Sequence, residues 1–500
     1  MPEPSAPARP AAVGELAIVL HSHMPYVEGY GTYPFGEEWL FDAVIHSHLP
    51  VLEVARDITM TVTPVLADQL EADGVSARLR EFLVEHRIDA AVEDVNTCDS
   101  AFTEASAAGR ERYSRSLELL DAHQGQPLDA FLEAAESGRV ELMASSATHA
   151  VLPMLATDRG LDLQVGTGIA SHRRRFGWSG GFWLPECAYE PGLEDRLVRH
   201  GVEWFCTDQS AFDKGDEALV PVGTDAGPVA FTIDWPAVSW LWDMSGYPSW
   251  PGYLDFHSLS MNGVRIFRID GKPYDREIAD EHAREQAVGF LAAAAERLEG
   301  FRDRTGSTGL MVFACDCELL GHWWAEGPVW LDAVLKGAAS HGIELTTLGN
   351  AAAARSGGES VAGGEERVGD EPGAGVRPLR SNRMRASTWG EQKDFRTWDS
   401  PAVADLASGA RRLELAVNRA VASGVRRDRA ERAVRELLAV QSSDWAFIDG
   451  RGQAGDYAFE RSIGHAAAAF EAIDSIGDAP VESRVRSLAP DLDLAPLLVP

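Results

Sequence analysis

Two carboxylic acids follow predicted strands at points where the chain turns into a loop. Glu186 stands in the segment Trp-Leu-Pro-Glu-Cys-Ala-Tyr, directly after the predicted strand 181–184, and Asp316 follows the predicted strand 310–314. Carboxyl groups in apolar surroundings have perturbed pKa values and are concentrated at functional sites. Glu318 competes with Asp316 for one role, because the two share a direction if the strand continues through both. The sequence therefore predicts two carboxyl groups in one cleft.

Histidines follow two further predicted strands. His21 and His23 lie two positions apart at the end of the first strand, so their side chains point the same way. His149 follows the predicted strand 140–144. For His21 and His23, three roles stay open: hydrogen-bonding to sugar hydroxyls, binding a metal ion, and a structural role.

Short apolar runs alternate with helical stretches, which is typical of β/α units around a parallel sheet or barrel. In such folds the loops after the strands open on one face, where ligands bind. We therefore expect the acidic residues, the histidines and nearby tryptophans to share a cleft on that face. The predicted strands are 16–20, 58–63, 140–144, 181–184, 203–206, 264–269, 310–314 and 343–348.

The composition limits the partners of the chain. Its 45 Lys and Arg against 77 Asp and Glu give a net charge of −32, which repels nucleic acid phosphates and anionic lipid headgroups. No run of apolar residues is long enough for a membrane span, which needs about 18 or more. The 14 tryptophans are an excess that flat indole faces for stacking sugar rings would explain.

The cysteines favour a reducing compartment. They are five in number and scattered, which fits reduced thiols rather than a disulfide scaffold. Cys315 and Cys317 flank Asp316, but they lack the C-x₂₋₄-C spacing of zinc sites, so we expect them to be packing residues and predict no metal. The first ten residues lack the order of a signal peptide, and we expect a cytoplasmic protein.

Four segments differ in composition. Residues 1–13 are predicted to be a disordered tail, and residues 14–350 form the β/α barrel. Residues 351–376 contain Gly, Glu, Ala and Ser but no Leu, Ile or aromatic residue, so we expect a flexible linker or loop. Residues 377–500 contain long Ala- and Leu-rich helical runs and are predicted to form a helical domain packed on the barrel.

Seven blocks of the sequence resemble, in order, signature blocks of glycoside hydrolase family 57, and the later ones are similar to its branching enzymes. They include His21-Ser-His-Met-Pro25 and Asp316-Cys-Glu-Leu-Leu-Gly-His-Trp-Trp324. The resemblance spans about residues 14–475. It implies an α/β fold with an incomplete (β/α)7 TIM-like barrel and a helical C-terminal domain that contributes to the cleft. The blocks lie at 21–25, 140–149, 183–187, 242–248, 316–324, 387–398 and 442–447.

The resemblance also implies roles for individual residues. Glu186 corresponds to the nucleophile and Asp316 to the general acid/base of a retaining mechanism, in which one carboxylate attacks the anomeric carbon and the other protonates the leaving oxygen. The residues that it implies for substrate binding are His21, His23, His149, Trp242, Trp323, Trp389, Trp398 and Asp444.

The expected function is a 1,4-α-glucan branching activity on glycogen-like polysaccharide, without a diffusible cofactor. The enzyme would cleave α-1,4 links and form α-1,6 branches through a glycosyl-enzyme intermediate. An amylase-like hydrolase with the same mechanism is the first alternative. A metal-dependent amidohydrolase or deacetylase is another, because those barrels also use H-x-H on a first strand and Asp on a late strand. A non-catalytic glucan-binding protein would not explain the two carboxyl groups.

One departure from the family pattern affects this expectation. Family branching enzymes usually carry a long loop after the nucleophile strand, with a Tyr thought to shield the intermediate from water. Here the corresponding region, about 207–234, is short, and no Tyr lies between Tyr189 and Tyr247. The sequence resembles an actinobacterial short-loop variant, and we expect the ratio of transfer to hydrolysis to depend on other groups.

Overall fold

The computed structural model describes residues 12–32, 35–212, 218–243, 245–356, 377–378, 384–452, 454–474 and 487–498. The strands in these ranges are β1 Gly14–Ser22, β2 Ile58–Val62, β3 Val140–Met143, β4 Gly181–Phe182, β5 Trp204–Thr207, β6 Val222–Gly223, β7 Val229–Thr232, β8 Leu310–Asp316, β9 Ile343–Leu345 and β10 Arg377–Pro378. The α-helices are α1 Glu37–Ala43, α2 Leu49–Val54, α3 Pro64–Leu70, α4 Val75–Glu81, α5 Asp89–Thr97, α6 Thr103–Ala122, α7 Pro127–Glu136, α8 Asp158–Phe176, α9 Leu193–Leu197, α10 Trp235–Trp242, α11 Arg276–Thr305, α12 Gly327–Gly337, α13 Leu348–Ser356, α14 Ala404–Ala422, α15 Arg427–Val440, α16 Ser443–Gly450, α17 Tyr457–Asp474 and α18 Ala495–Leu498.

Seven strands follow one another around an incomplete barrel, and the ladders between them are parallel. β8, β1, β2 and β3 are adjacent in one sheet, and β4, β5 and β7 belong to a second. A parallel bridge between Ala144 and Phe182 joins the two sheets. On the opposite side, beyond the end of β7, the Asp234 amide donates a hydrogen bond to the Val312 carbonyl of β8 at 2.9 Å. The predicted α/β fold with an incomplete seven-stranded barrel is confirmed.

One predicted strand is wrong, and one barrel strand was missed. Residues 264–269 form only isolated antiparallel bridges, such as those between Leu254 and Arg268 and between Leu259 and Arg265. Two arginines interrupt the apolar residues of this run, which is only partly buried, whereas barrel strands are buried on both faces. The missed strand is β7, whose four residues are all buried.

The core of the barrel ends where the polar residues begin. Residues 16–20 of β1 are fully buried, as expected for a strand covered on both faces. The register between β1 and β8 pairs His21 with Asp316. The carboxyl ends of the strands therefore meet at the predicted face and bring the two groups of polar residues together.

The helical domain is fixed to the barrel by a shared core. Buried residues of α14, α15 and α17 pack in one cluster with Tyr26, Val65, Ala147 and Leu163 of the barrel. The Thr148 hydroxyl donates to the carbonyl at the C-terminal end of α15, that of Leu438, at 2.6 Å. Because apolar surface is buried between the two parts, α16 has a defined position over the barrel face.

The boundaries of the predicted linker need correction. Its first residues are helical and belong to α13, where Ala351 is buried. Alanine has the highest helix propensity of all residues, which explains why this Ala-rich run does not form a loop. Residues 357–376 and the tail 1–11 lie outside the described residues. Within the described part of the chain, no helix is long and apolar enough to cross a membrane.

Candidate active site

Glu186 lies in a strained turn directly after β4. Its backbone has φ of 60°, and that of Cys187 has φ of 49°, so two consecutive residues with side chains adopt the left-handed region. Such conformations cost on the order of 1–3 kcal/mol each and occur preferentially at functional sites, where the surrounding structure enforces them. The turn directs the Glu186 carboxylate into the face formed by the strand ends.

Each oxygen of the Glu186 carboxylate accepts one hydrogen bond. The Ser443 hydroxyl donates to Oε1 at 2.7 Å, and the Trp389 indole N–H donates to Oε2 at 2.8 Å. The side chain is only 13% exposed. Burial raises the pKa of Glu186, and the two donors oppose that shift because they stabilise the anion. The two hydrogen bonds thus fix the orientation of the carboxylate.

Asp316 has the properties of a proton donor. Burial, followed by the negative charges of Glu318 and Glu186, raises the pKa of Asp316 to about 8, and His23 acts in the opposite direction. The carboxyl group is therefore protonated at neutral pH. A raised pKa of this kind is what a general acid needs.

Glu318 has a different environment from Asp316. One of its oxygens accepts a hydrogen bond from the His23 amide at 3.1 Å and lies 2.6 Å from the His48 imidazole. The side chain is buried. His48 ends a π-helical turn, Val44–His48, a feature that is frequent at functional sites. Because its carboxylate is already bound, the geometry favours Asp316 over Glu318 as the acid.

The three predicted histidines form a stack. The rings of His23 and His149 lie 4.2 Å apart and those of His21 and His149 4.8 Å apart, with an angle of 26° between the planes in both pairs. Ring nitrogens point outwards in the plane of each imidazole, so nearly parallel rings do not direct them at a common ion. Among the described residues, no group of three or more His, Cys, Asp or Glu is arranged to hold a metal.

The protonation of the stack is uneven. Burial lowers the pKa values of His21 and His149 well below the ordinary value, and neighbouring histidines lower them further. Burial acts on His23 in the same direction, but the Asp444 carboxylate, 3.0 Å from its Nε2, together with the negative charges of Glu318 and Glu186 outweighs burial, and the pKa of His23 is raised. His23 is therefore the member of the stack that carries a positive charge most readily.

The helical domain supplies two side chains at the start of α16. Ser443 lies 2.9 Å from His149 Nδ1, in addition to its contact with Glu186. Asp444 contacts His23 and accepts a hydrogen bond from the Ser442 hydroxyl at 2.5 Å. Asp444 was predicted to bind glucan; its carboxylate lies against the His23 imidazole, and a contact with glucan stays a prediction. Ser443 was missed as a site residue, although the block 442–447 was recognised in the sequence.

The predicted tryptophans occupy different environments. The Trp389 amide donates to the Glu186 carbonyl at 2.9 Å, in addition to its side-chain contact. Trp398 is 2% exposed, so its ring is buried in this structure, and its contact with glucan stays a prediction. It packs behind Gly390, where an added Cβ would lie 2.7 Å from its ring. Trp242 and Trp323 are 49% and 48% exposed, and neither is hydrogen-bonded to the two carboxyl groups in the described structure.

Comparison with known proteins adds independent information. Residues 17–357 match the family model described as glycosyl hydrolase family 57, and residues 406–492 match the model described as 1,4-alpha-glucan branching enzyme, C-terminal. The chain is 30% identical to the 1,4-alpha-glucan branching enzyme of Thermococcus kodakarensis, over 90% of this chain and 72% of that protein. It is 31% identical to a probable 1,4-alpha-glucan branching enzyme of Mycobacterium tuberculosis, over 92% and 91% of the two chains.

Solved structures with a similar fold include two branching enzymes. The GH57-type branching enzyme of Pyrococcus horikoshii superimposes with a TM-score of 0.86 at 28% identity, covering 97% of both chains. The GH57 branching enzyme of Thermococcus kodakaraensis, in complex with glucose and additives, also has a TM-score of 0.86, at 26% identity and with 97% of each chain covered. The alpha-amylase AmyC of Thermotoga maritima has a TM-score of 0.77 at 24% identity, over 92% of this chain and 93% of that one, and supports the fold alone.

The raised pKa of Asp316 can be tested by titration. Proton binding to the wild-type protein and to Asp316→Asn, measured in parallel, should differ by one proton that is released around pH 8. In the background of Glu318→Gln the same difference should occur at lower pH, because the neighbouring negative charge is removed. Asp303→Asn, at an exposed position, is the control and should leave the proton that is released around pH 8 unchanged; the ordinary range for an Asp carboxyl lies near pH 4. Release of the Asp316 proton in that ordinary range would contradict the assignment.

Proposed function

The chain belongs to glycosyl hydrolase family 57, and we propose that it is a retaining 1,4-α-glucan branching enzyme with Glu186 as nucleophile and Asp316 as general acid/base. One observation carries the two roles: a carboxylate held by a donor on each oxygen faces the same cleft as a carboxyl group with a pKa of about 8. Sequence similarity to branching enzymes over about nine-tenths of the chain supports the proposed transfer of glucan chains.

The first step cleaves an α-1,4 link. Glu186 attacks the anomeric carbon, while Asp316 gives its proton to the glycosidic oxygen of the departing chain. The C1–O4 bond breaks, and an ester bond forms between C1 and the Glu186 carboxylate. Conversion of Glu186 into a neutral ester removes one negative charge that raises the pKa of Asp316. Asp316 is therefore better suited to stay ionised and to act as a base in the second step.

The second step forms the branch. The 6-hydroxyl of an acceptor glucose attacks C1, its proton passes to Asp316, and the ester bond to Glu186 breaks. Two inversions at C1 retain the α configuration. Every proton and electron pair in the sequence comes from the substrate or from these two side chains, so the proposed reaction uses no cofactor.

The other site residues are assigned to the substrate or to positioning. His21, His23 and His149 would hydrogen-bond sugar hydroxyls of the donor chain, and Asp444 would orient His23. Trp389 would contact the bound sugar beside Glu186 while holding its carboxylate. This division follows from the contacts: Trp389 touches the nucleophile, and Asp444 touches a histidine.

The exposed indoles would guide glucan outside the catalytic centre. Trp323 lies on the segment that follows Asp316, and its ring is 4.2 Å from that of Phe256. Trp242 is the last residue of α10 and is also half-exposed. Half-exposed indoles with a supported face are suited to stacking on sugar rings. Buried Trp398 would instead support the residues around Trp389.

We also propose the division of the chain and its setting. Residues 14–350 would form the catalytic barrel, and residues 377–500 the helical domain that completes the site. The partner would be an α-glucan in the cytoplasm, where free thiols such as those of the described cysteines persist. The net charge of −32 disfavours binding to nucleic acid or to anionic membranes.

An amylase-like hydrolase of the same family is the second candidate, because no Tyr lies between Tyr189 and Tyr247. Incubation with amylose, followed by enzymatic debranching, separates the two. New α-1,6 links counted against new reducing ends measure transfer directly. We expect α-1,6 links in clear excess over hydrolysis, and reducing ends without any α-1,6 links would establish the hydrolase.

Replacement of the nucleophile gives the sharpest mutational test. Glu186→Gln should reduce both transfer and hydrolysis below about 1% of wild type, because the covalent step is lost, while amylose binding stays within about tenfold. Glu190→Gln changes an exposed carboxylate four residues away and is the matched control. Residual activity of Glu186→Gln well above that level, with Glu190→Gln unaffected, would exclude Glu186 as nucleophile.

Loss of the Ser443 hydroxyl should have a pH signature. Ser443→Ala removes a donor that favours the anionic form of Glu186, so the pKa of Glu186 rises and the acidic limb of kcat/KM moves to higher pH. A hydrogen bond to a charged group is worth about 1.5–3 kcal/mol, so kcat/KM should fall roughly 10- to 100-fold. Ser423→Ala, in an exposed part of the helical domain, should leave the pH profile unchanged. An unshifted acidic limb in Ser443→Ala would rule out its proposed role.

A further inference from the structure

Lys393 connects the segment that bears Trp389 to the barrel, in addition to the backbone hydrogen bonds between Ser387 and Tyr189 and between Trp389 and Glu186. We call residues 387–394 the Trp389 loop. The ammonium group of Lys393 lies 3.1 Å from the carboxylate of Asp208 and 3.0 Å from the centre of the Trp235 ring. It also donates to the Trp389 carbonyl at 3.3 Å. One side chain thus contacts two barrel residues and the loop itself.

The backbone of the Trp389 loop needs such a restraint. Gln392 has φ of 57° and Lys393 has φ of 62°, so two consecutive residues with side chains are left-handed. An unrestrained loop would leave this conformation because it is intrinsically unfavourable. The Lys393 amide donates to the Gly390 carbonyl at 3.1 Å, and the Lys393 carbonyl accepts from the Thr388 amide at 3.3 Å. The same residue therefore closes the loop on itself and attaches it to the barrel.

The attachment points lie at the two ends of the short connection. Asp208 follows β5, and Trp235 begins α10. Asp208 is fully buried and also accepts hydrogen bonds from Ser210 and from the indole N–H of Trp235. Lys393 thus brings the Trp389 loop onto the part of the barrel where the sequence lacks a Tyr-bearing loop.

At its other end the Trp389 loop covers the nucleophile. Trp389 contacts the Glu186 carboxylate through its indole N–H and the Glu186 backbone through its amide. The indole also packs edge-on against Trp183, with ring centroids 5.1 Å apart. The indole of Trp389 therefore lies directly against the Glu186 carboxylate.

We propose that Lys393 is a positioning residue that sets the partition of the glycosyl-enzyme between a glucan acceptor and water. The proposal rests on the proposed branching function. In transfer, the ester bond of Glu186 breaks, C1 bonds to the 6-oxygen of the acceptor, and the hydroxyl proton passes to Asp316. In hydrolysis, water replaces the acceptor and its proton passes to the same carboxylate. Lys393 acts through Trp389 and takes no part in either bond change.

Water and a glucan hydroxyl compete for the glycosyl-enzyme at very different concentrations. Water is present at about 55 M and a glucan hydroxyl at millimolar levels, so transfer requires a bound acceptor and exclusion of water from the ester. A Trp389 loop released from Asp208 would admit water to Glu186. The loss should therefore appear as increased hydrolysis relative to transfer, more than as loss of glycosyl-enzyme formation.

The test compares Lys393→Met with Lys393→Arg on amylose. Lys393→Met keeps the length of the side chain but removes its charge, and we expect the ratio of α-1,6 links to reducing ends to fall about fivefold or more. The sum of both products should fall less than that ratio. Lys393→Arg keeps an ion pair and a cation over Trp235, and it should restore the ratio to within about twofold of wild type. Lys336→Met, at an exposed ion pair on α12, is the control and should leave the ratio unchanged.

A second substitution tests the same link from the barrel side. Asp208→Asn should lower the ratio as Lys393→Met does, and the two changes together should be less than additive, because each breaks one contact. It also tests the link if Lys393→Met does not fold. The concentration of acceptor that gives half-maximal transfer should not change, because the proposed effect is entry of water and not weaker acceptor binding.

The outcomes distinguish the role of Lys393 from the branching function. A wild-type enzyme that forms no α-1,6 links would overturn the branching function itself. A wild-type enzyme that branches, with an unchanged ratio in Lys393→Met or, where that variant does not fold, in Asp208→Asn, would overturn the role of Lys393 and leave the branching function standing. A fall in melting temperature without a change in ratio would show that Lys393 has a purely structural role.

Discussion

The arrangement of the candidate active site depends on the two hydrogen bonds that fix the Glu186 carboxylate. One donor, Trp389, is 203 residues away in the chain, and the other, Ser443, is 257 residues away. The barrel presents Glu186 on a strained turn but supplies neither donor. The barrel, the segment bearing Trp389 and the helical domain must therefore all be assembled before the Glu186 carboxylate is oriented, and the shared core holds the two parts of the molecule together.

Negative charge dominates the cleft, and its distribution determines the chemistry. Glu186, Asp316, Glu318 and Asp444 are close together, with His23 as the most basic histidine of the stack. Glu318 is bound by donors and Asp444 is paired with His23. Asp316 has neither arrangement, and burial, followed by the surrounding negative charges, favours its protonated form. Burial and repulsion between carboxylates together thus favour a proton on the group that we propose as the general acid.

Local patterns in the sequence identified the site residues that lie at the ends of strands. Glu186, Asp316 and His21 follow buried apolar runs, and parallel strands bring such positions to one face. The strand β7 was missed because a run of four residues, three of them apolar, is too short to distinguish from a loop, while the longer run 264–269 was mistaken for a barrel strand. Ser443 and Lys393 act through contacts across hundreds of residues, which no local pattern encodes.

The covalent intermediate on Glu186 can be trapped and located on the chain. A fluorinated α-glucosyl fluoride carries its own good leaving group and slows the second step, so the intermediate should accumulate. After proteolysis and mass spectrometry, we expect one glycosyl adduct per chain, on the peptide that contains Glu186. An adduct on Asp316 or Glu318, or turnover of the reagent without any covalent adduct, would contradict the role of Glu186 as nucleophile.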